Sequence, residues 1–182
     1  VGNLPLTSIN PHFWRRVTGS VMQESFIFSD TFAHNIALDS DSLDETRLYQ
    51  AAKMANVDGF IRTLPLGYHT KIGMEGNGVS QGQRQRLLIA RAIYKNPEYI
   101  FFDEATNALD TTNESEIMHH LYEFYHGRTV VVAAHRLSTV KNADQIVVLN
   151  QGKVVEVGNH ESLTAKRGAY YNLVKNQLEL GN

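Results

Sequence analysis

The stretch Tyr99–Asp110, YIFFDEATNALD, runs four apolar residues directly into two adjacent carboxylates, Asp103 and Glu104. A short unbroken apolar run suits a strand covered on both faces, as in a parallel sheet. The run TVVVAA from Thr129 reads the same way, and the helical pattern Asn113–Tyr125 lies between the two. Strand, helix, strand implies a βαβ crossover and an α/β fold.

Working outward, strands are expected at Thr18–Met22, Gln145–Leu149 and Lys153–Val157, with Asn150-Gln151-Gly152-Lys153 as a tight hairpin turn. Helices are expected at Leu43–Asn56, Ser80–Tyr94 and Ala169–Leu178. Residues 31–96 are mostly helical with polar turns and read as a subdomain inserted between sheet strands. That leaves 1–30 and 97–182 as the sheet-bearing core, with no internal repeat or linker.

Bulk properties narrow the class. A chain of 182 residues with 42% hydrophobic and 20% charged residues suits a globular domain with a substantial core. A formal charge of −2 gives no general attraction to nucleic acid or anionic lipid. Without cysteine there are no disulfides and no thiolate metal sites. No apolar run approaches the ~20 residues needed to cross a bilayer, so the chain is expected to be soluble by itself.

Several polar residues stand where chemistry is possible. Ser80 and Gln83 have capping-box spacing at a helix start, a structural role. A glycine-flanked helix N-terminus also offers free amides and a positive dipole end to a phosphate. Asp103 and Glu104 end an apolar strand, at the edge where open α/β sheets bind ligands. An aspartate there suits Mg²⁺ and a neighbouring glutamate can activate water, although the pair alone also fits an ordinary polar strand end. His135 and Gln23 each follow an apolar strand, so three strand ends would converge on one site. His119, His120 and His126 cluster on a helix and are expected to be solvated.

Gln23, then VSQGQRQR, then YIFFDEATNALD, then AAHRLSTV, in this order and spacing, resemble the ATP-binding domain of ABC transporters, specifically the exporter type. FIFSDTFAHNIAL and ADQIVVLNQGKVVEVGNHESL extend the resemblance over nearly the whole chain. The resemblance implies a P-loop NTPase-like (RecA-like), mostly parallel sheet with an inserted helical subdomain. It implies ATP and Mg²⁺ as ligands and ATP hydrolysis that powers export. Gln23 resembles the glutamine that senses the metal and couples the site to transmembrane domains. Val79, Ser80, Gln81, Gly82 and Gln83 resemble the signature motif, which meets the γ-phosphate of ATP held by a second, head-to-tail domain. Asp103 matches the metal carboxylate, Glu104 the general base and His135 the switch histidine. Asn107–Asp110 resembles the loop at the dimer interface. The implied place is the cytoplasmic face of the inner membrane, with no nucleic acid partner.

Two departures stand out. The usual signature LSGGQ is here VSQGQ, a variant resembling that of exporters fused to a leader-peptide peptidase. The sequence also contains no G-x-x-x-x-G-K-[ST], the Walker A phosphate cradle, and no candidate for the family's adenine-stacking aromatic. The expectation drawn from this is a domain incomplete at its N-terminus, weak or inactive with ATP, and self-associating through unpaired strand edges. Two alternatives remain open: a non-catalytic or regulatory module that lends its signature to another domain, and a DNA-maintenance ATPase of the same family. The short separation of Gln23 from Ser80, without heptads or a basic patch, speaks against the latter.

Overall fold

In the computed structural model the Tyr99 run forms the middle strand of a three-stranded parallel sheet. The structure describes residues 1–22, 25–38, 43–73, 78–103, 111–134 and 140–180. The chain forms two compact units, Val1–Ala133 and Ala134–Asn182.

In the first unit, β1 (Thr18–Val21), β2 (Tyr99–Asp103) and β3 (Thr129–Ala133) lie in the order β1-β2-β3. The register pairs Val21 with Phe102, Phe102 with Val132 and Asp103 with Ala133. Helix α6 (Thr111–Tyr125) connects β2 to β3 as the expected crossover and buries Ile117, Leu121 and Phe124. Arg128 anchors the opposite end of the sheet, donating to the Pro97 carbonyl at 3.1 Å and to Asn96 Oδ1 at 2.6 Å. Gly19 of β1 lies so close to Pro97 that a Cβ would meet the ring at 2.7 Å, so only glycine fits there.

Between β1 and β2 the chain is helical: α2 (Phe32–Ala37), α3 (Glu45–Met54), α4 (Asp58–Thr63) and α5 (Gln81–Lys95). Local chemistry marks these boundaries. Thr31, Asp44 and Ser80 cap the N-termini of α2, α3 and α5 with side-chain oxygens. Leu38 and Asn96 close α2 and α5 in the left-handed conformation. Helix α5 packs against α2, α3 and β1, burying Leu87, Ile89 and Ile93. Each such side chain contributes roughly 1.5–3 kcal/mol on leaving water. They join Val21, Ile100 and Phe102 in one core.

The second unit is built on the antiparallel hairpin β4 (Ile146–Asn150) and β5 (Lys153–Gly158), followed by α7 (His160–Lys166) and α8 (Ala169–Leu180). Gln151 and Gly152 both have positive φ, which makes the tight turn between the strands. Ile146, Val148, Leu163 and Tyr170 form its core.

Two expectations are corrected. Strand β3 is not covered on both faces by described residues: Val131 is 49% and Val132 36% exposed on the outer strand of the sheet. His120 is not solvated; it is half-buried, with Nδ1 3.1 Å from the Met54 carbonyl, because α6 packs against α3. A helix the sequence reading passed over, α1 (Pro11–Val17), precedes β1. Its seven residues are too few for an apolar period, but Asn10-Pro11 is a cap followed by proline at the first helical position.

Candidate functional site

The parallel register brings three strand ends to one edge of the sheet. Val21 stands beside Phe102, and Asp103 beside Ala133, with neighbouring strands ~4.8 Å apart. Asp103 is the last residue of β2, and its side chain is exposed at that edge. It is therefore accessible to a cation without the desolvation cost of a buried carboxylate. Gln23, Glu104, Asp110 and His135 lie outside the described residues.

The Val79–Gln83 segment is described in full. Val79 is half-buried against the main core and, with Phe32, Phe60 and Ile72, helps line a small cavity of about 60 Å³. An apolar residue is needed there, and valine supplies it. Ser80 is the N-cap of α5 and makes the predicted capping box. Its hydroxyl accepts from the Gln83 amide at 3.2 Å, and Gln83 Oε1 accepts from the Ser80 amide at 2.8 Å. A helix start leaves four amides without intrahelical acceptors. The box satisfies those of Ser80 and Gln83, which leaves the amides of Gln81 and Gly82. Ser80 and Gln81 are exposed, so this end of α5 faces solvent.

Chemically, that end can receive an anion. Two open amides and the positive end of a 15-residue helix favour negative charge, and the Ser80 hydroxyl adds a third donor. Gln81, which occupies the usual glycine position, projects from the first turn without disturbing the cap. Among the described residues no cluster of three or more His, Asp or Glu could hold a metal by itself. Asp103 can thus supply one ligand to an ion whose other ligands come from phosphate oxygens, water or residues outside the described set.

Sequence reasoning missed a second feature. A cavity of about 210 Å³ is lined by Phe28, Asp30, His34 and Leu38. His34 Nδ1 lies 3.1 Å from Asp30 Oδ1. The Thr31 amide first, and His34 second, hold the Asp30 carboxyl below its ordinary range. The signal was present in FIFSDTFAHNIAL, where a capping Thr31 follows an aspartate one helical turn before a histidine.

Residues 2–107 match the family described as ABC transporter. The chain is 46% identical over 177 residues to the ATP-dependent lipid A-core flippase of Saccharophagus degradans, covering 97% of this chain and 30% of that protein. It is 43% identical over 166 residues to the alpha-hemolysin translocation ATP-binding protein HlyB of Escherichia coli, covering 91% of this chain and 24% of that protein. A solved structure of a bacterial Atm1-family ABC exporter with ATP bound superposes with a TM-score of 0.85 at 41% identity, over 90% of this chain and 28% of that one. The chain thus spans less than a third of the length of these relatives. No helix among the described residues is long and apolar enough to cross a membrane.

Proposed function

We propose a function from one premise: this chain belongs to the ABC transporter family. It serves as an ATP-binding domain whose nucleotide cycle powers export across a membrane. It works head-to-tail with a second such domain, beneath transmembrane partner domains at the cytoplasmic face of the inner membrane. The observation that carries the reading is the N-terminus of α5: two open amides and an exposed hydroxyl on residues that resemble the signature motif.

The roles follow from the chemistry. The Gln81 and Gly82 amides and the Ser80 hydroxyl meet the γ-phosphate oxygens of ATP held by the opposing domain. Ser80 can do this without losing its cap, because its oxygen accepts from Gln83 while its own proton remains free to donate. Asp103, with Gln23, holds Mg²⁺, which when bound neutralises phosphate charge. Glu104 takes the proton of the attacking water, and His135 contacts the γ-phosphate; such general-base assistance contributes ~10²–10⁴ in rate. Asp110 belongs to the interface between domains. The relatives are exporters, which leaves the DNA-maintenance alternative without support.

The signature helix is fully formed, so its role can be tested in trans, on ATP held by another domain. The test measures Mg-ATP hydrolysis after mixing the chain with a separate ABC domain that has Walker A but an inactivated signature. Hydrolysis rescued by the chain and abolished by Ser80→Asp is expected. No rescue would remove the signature role.

A further inference from the structure

Helix α5 carries a second polar device, about 12 Å along its axis from Gln83 at ~1.5 Å per residue. Arg91 turns its guanidinium onto the segment that begins three residues after Gln23. Nε donates to the Asn35 carbonyl at 2.7 Å, Nη1 to the Phe26 carbonyl at 2.9 Å and Nη2 to Asn35 Oδ1 at 3.2 Å. The guanidinium also lies 5.4 Å from the centre of the Phe28 ring. Asn35 is 0% exposed and extends the device. Its Oδ1 accepts from the Phe28 amide at 2.8 Å, while Nδ2 donates to the Phe28, Asp30 and Thr31 carbonyls at 3.0, 3.3 and 3.0 Å.

Among the described residues, every acceptor of Arg91 is a neutral oxygen. Burial pushes its pKa down to about 10. A half-buried cation held, among the described residues, by neutral oxygens is an expensive way to fill space, since a methionine of similar length packs without that cost. What the guanidinium does that methionine cannot is fix direction, because its planar fork reaches acceptors on two chain segments at once. The segment it holds ends in an exposed aromatic pair. Phe26 and Phe28 are 56% and 45% exposed and meet edge-on with centroids 5.2 Å apart.

We propose that Arg91 is a positioning residue that locks the 26–31 segment to α5, so that force applied at the Ser80 end of the helix reaches the Phe26–Phe28 surface as a rigid displacement. The proposal rests on the function proposed above, because the force is phosphate engagement at Ser80. Asn35 is the intermediate link, since it receives Arg91 and carries the backbone of Phe28, Asp30 and Thr31.

The absence of cysteine allows a clean test. Phe26→Cys places a lone thiol on the segment and leaves the carbonyl that accepts from Arg91 in place. In the assembled transporter, with any cysteine outside this chain replaced, thiol labelling is compared with and without Mg-ATP and vanadate. A change of about fivefold or more on trapping is expected with Arg91 present, and its loss is expected in Arg91→Lys and Arg91→Met while trapping itself persists. Lysine keeps the charge but cannot span the three acceptors, so it separates geometry from charge. In parallel, amide exchange in the chain by itself should rise about tenfold at Phe28 in Arg91→Met, with Leu87–Ile89 still protected. Labelling that still responds in both variants, or unchanged exchange at Phe28, overturns the proposal. Trapping lost together with the labelling change reduces Arg91 to a packing role and likewise overturns it. Failure of the unsubstituted protein to trap vanadate overturns the function itself, and the proposal with it.

Discussion

The Ser80 hydroxyl accepts from the Gln83 amide while Gln83 Oε1 accepts from the Ser80 amide, at 3.2 and 2.8 Å. This reciprocal pair leaves the two amides between them as the open donors of the first turn. Stability and ligand contact can therefore be separated at one residue. Ser80→Ala should cost about 1 kcal/mol, read as a lower urea midpoint, and should weaken activity in trans. Ser80→Asp caps equally well but sets a carboxylate against phosphate, so it should keep the midpoint and abolish the activity. Equal stability loss in both variants would show that the cap is not what Ser80 supplies.

Asn35 is fully buried and serves five partners, among them the Arg91 guanidinium. Asn35→Ala leaves the Phe28 amide and several carbonyls without their contacts in a dry interior. A loss of about 2–4 kcal/mol is expected in urea unfolding, well above a typical surface substitution. A loss near zero would mean that water replaces the side chain.

Tyr68 donates to Asp58 Oδ1 at 2.6 Å, and Arg62 Nε reaches both oxygens of the same carboxylate at 2.9 Å. Burial first, and the Asp58 contact second, raise the Tyr68 pKa above its ordinary value of 10.0. Because the folded pKa is raised, the stability Tyr68 contributes is complete below the unfolded value and is lost as pH rises beyond it. Unfolding midpoints should therefore fall as pH rises above about 10, and less steeply in Tyr68→Phe. The slope should shrink without vanishing, because burial also raises Tyr125 and Tyr170. At neutral pH, Tyr68→Phe should cost about 1–2 kcal/mol for the lost hydrogen bond.

Strand β3 is an outer strand of its sheet among the described residues, and its own sequence carries none of the usual guards against edge pairing. Thr129–Ala133 has no lysine, proline or bulge, and Val131 is half exposed. Light scattering of the chain should give a mass above that of a monomer at 20.5 kDa. Val131→Lys should return it towards the monomer. A monodisperse monomer before substitution would be decisive against the expectation.

Much of the architecture was legible because it depends on near neighbours. The Ser80–Gln83 box, the Asn150–Lys153 turn and the strand–helix–strand order from Tyr99 to Ala133 all follow from periods and caps within a few residues. The resemblance carried by VSQGQ and YIFFDEATNALD agrees with the family match over residues 2–107. Coverage of β3 was misjudged because an apolar run reports what a strand can tolerate, not what lies on each face.

The sequence by itself determined the α/β class, the places where helices begin and the residue types available for phosphate and metal. Each of these follows from contacts within a turn or a strand. Tertiary structure alone decided that Asp103 stands level with Ala133, that His120 meets the Met54 carbonyl, and that Arg91 grips a segment as far as 65 residues away. Those relationships depend on strand register and on which helix packs against which. Neither leaves a local pattern, because the partners are brought together only when the core closes around them.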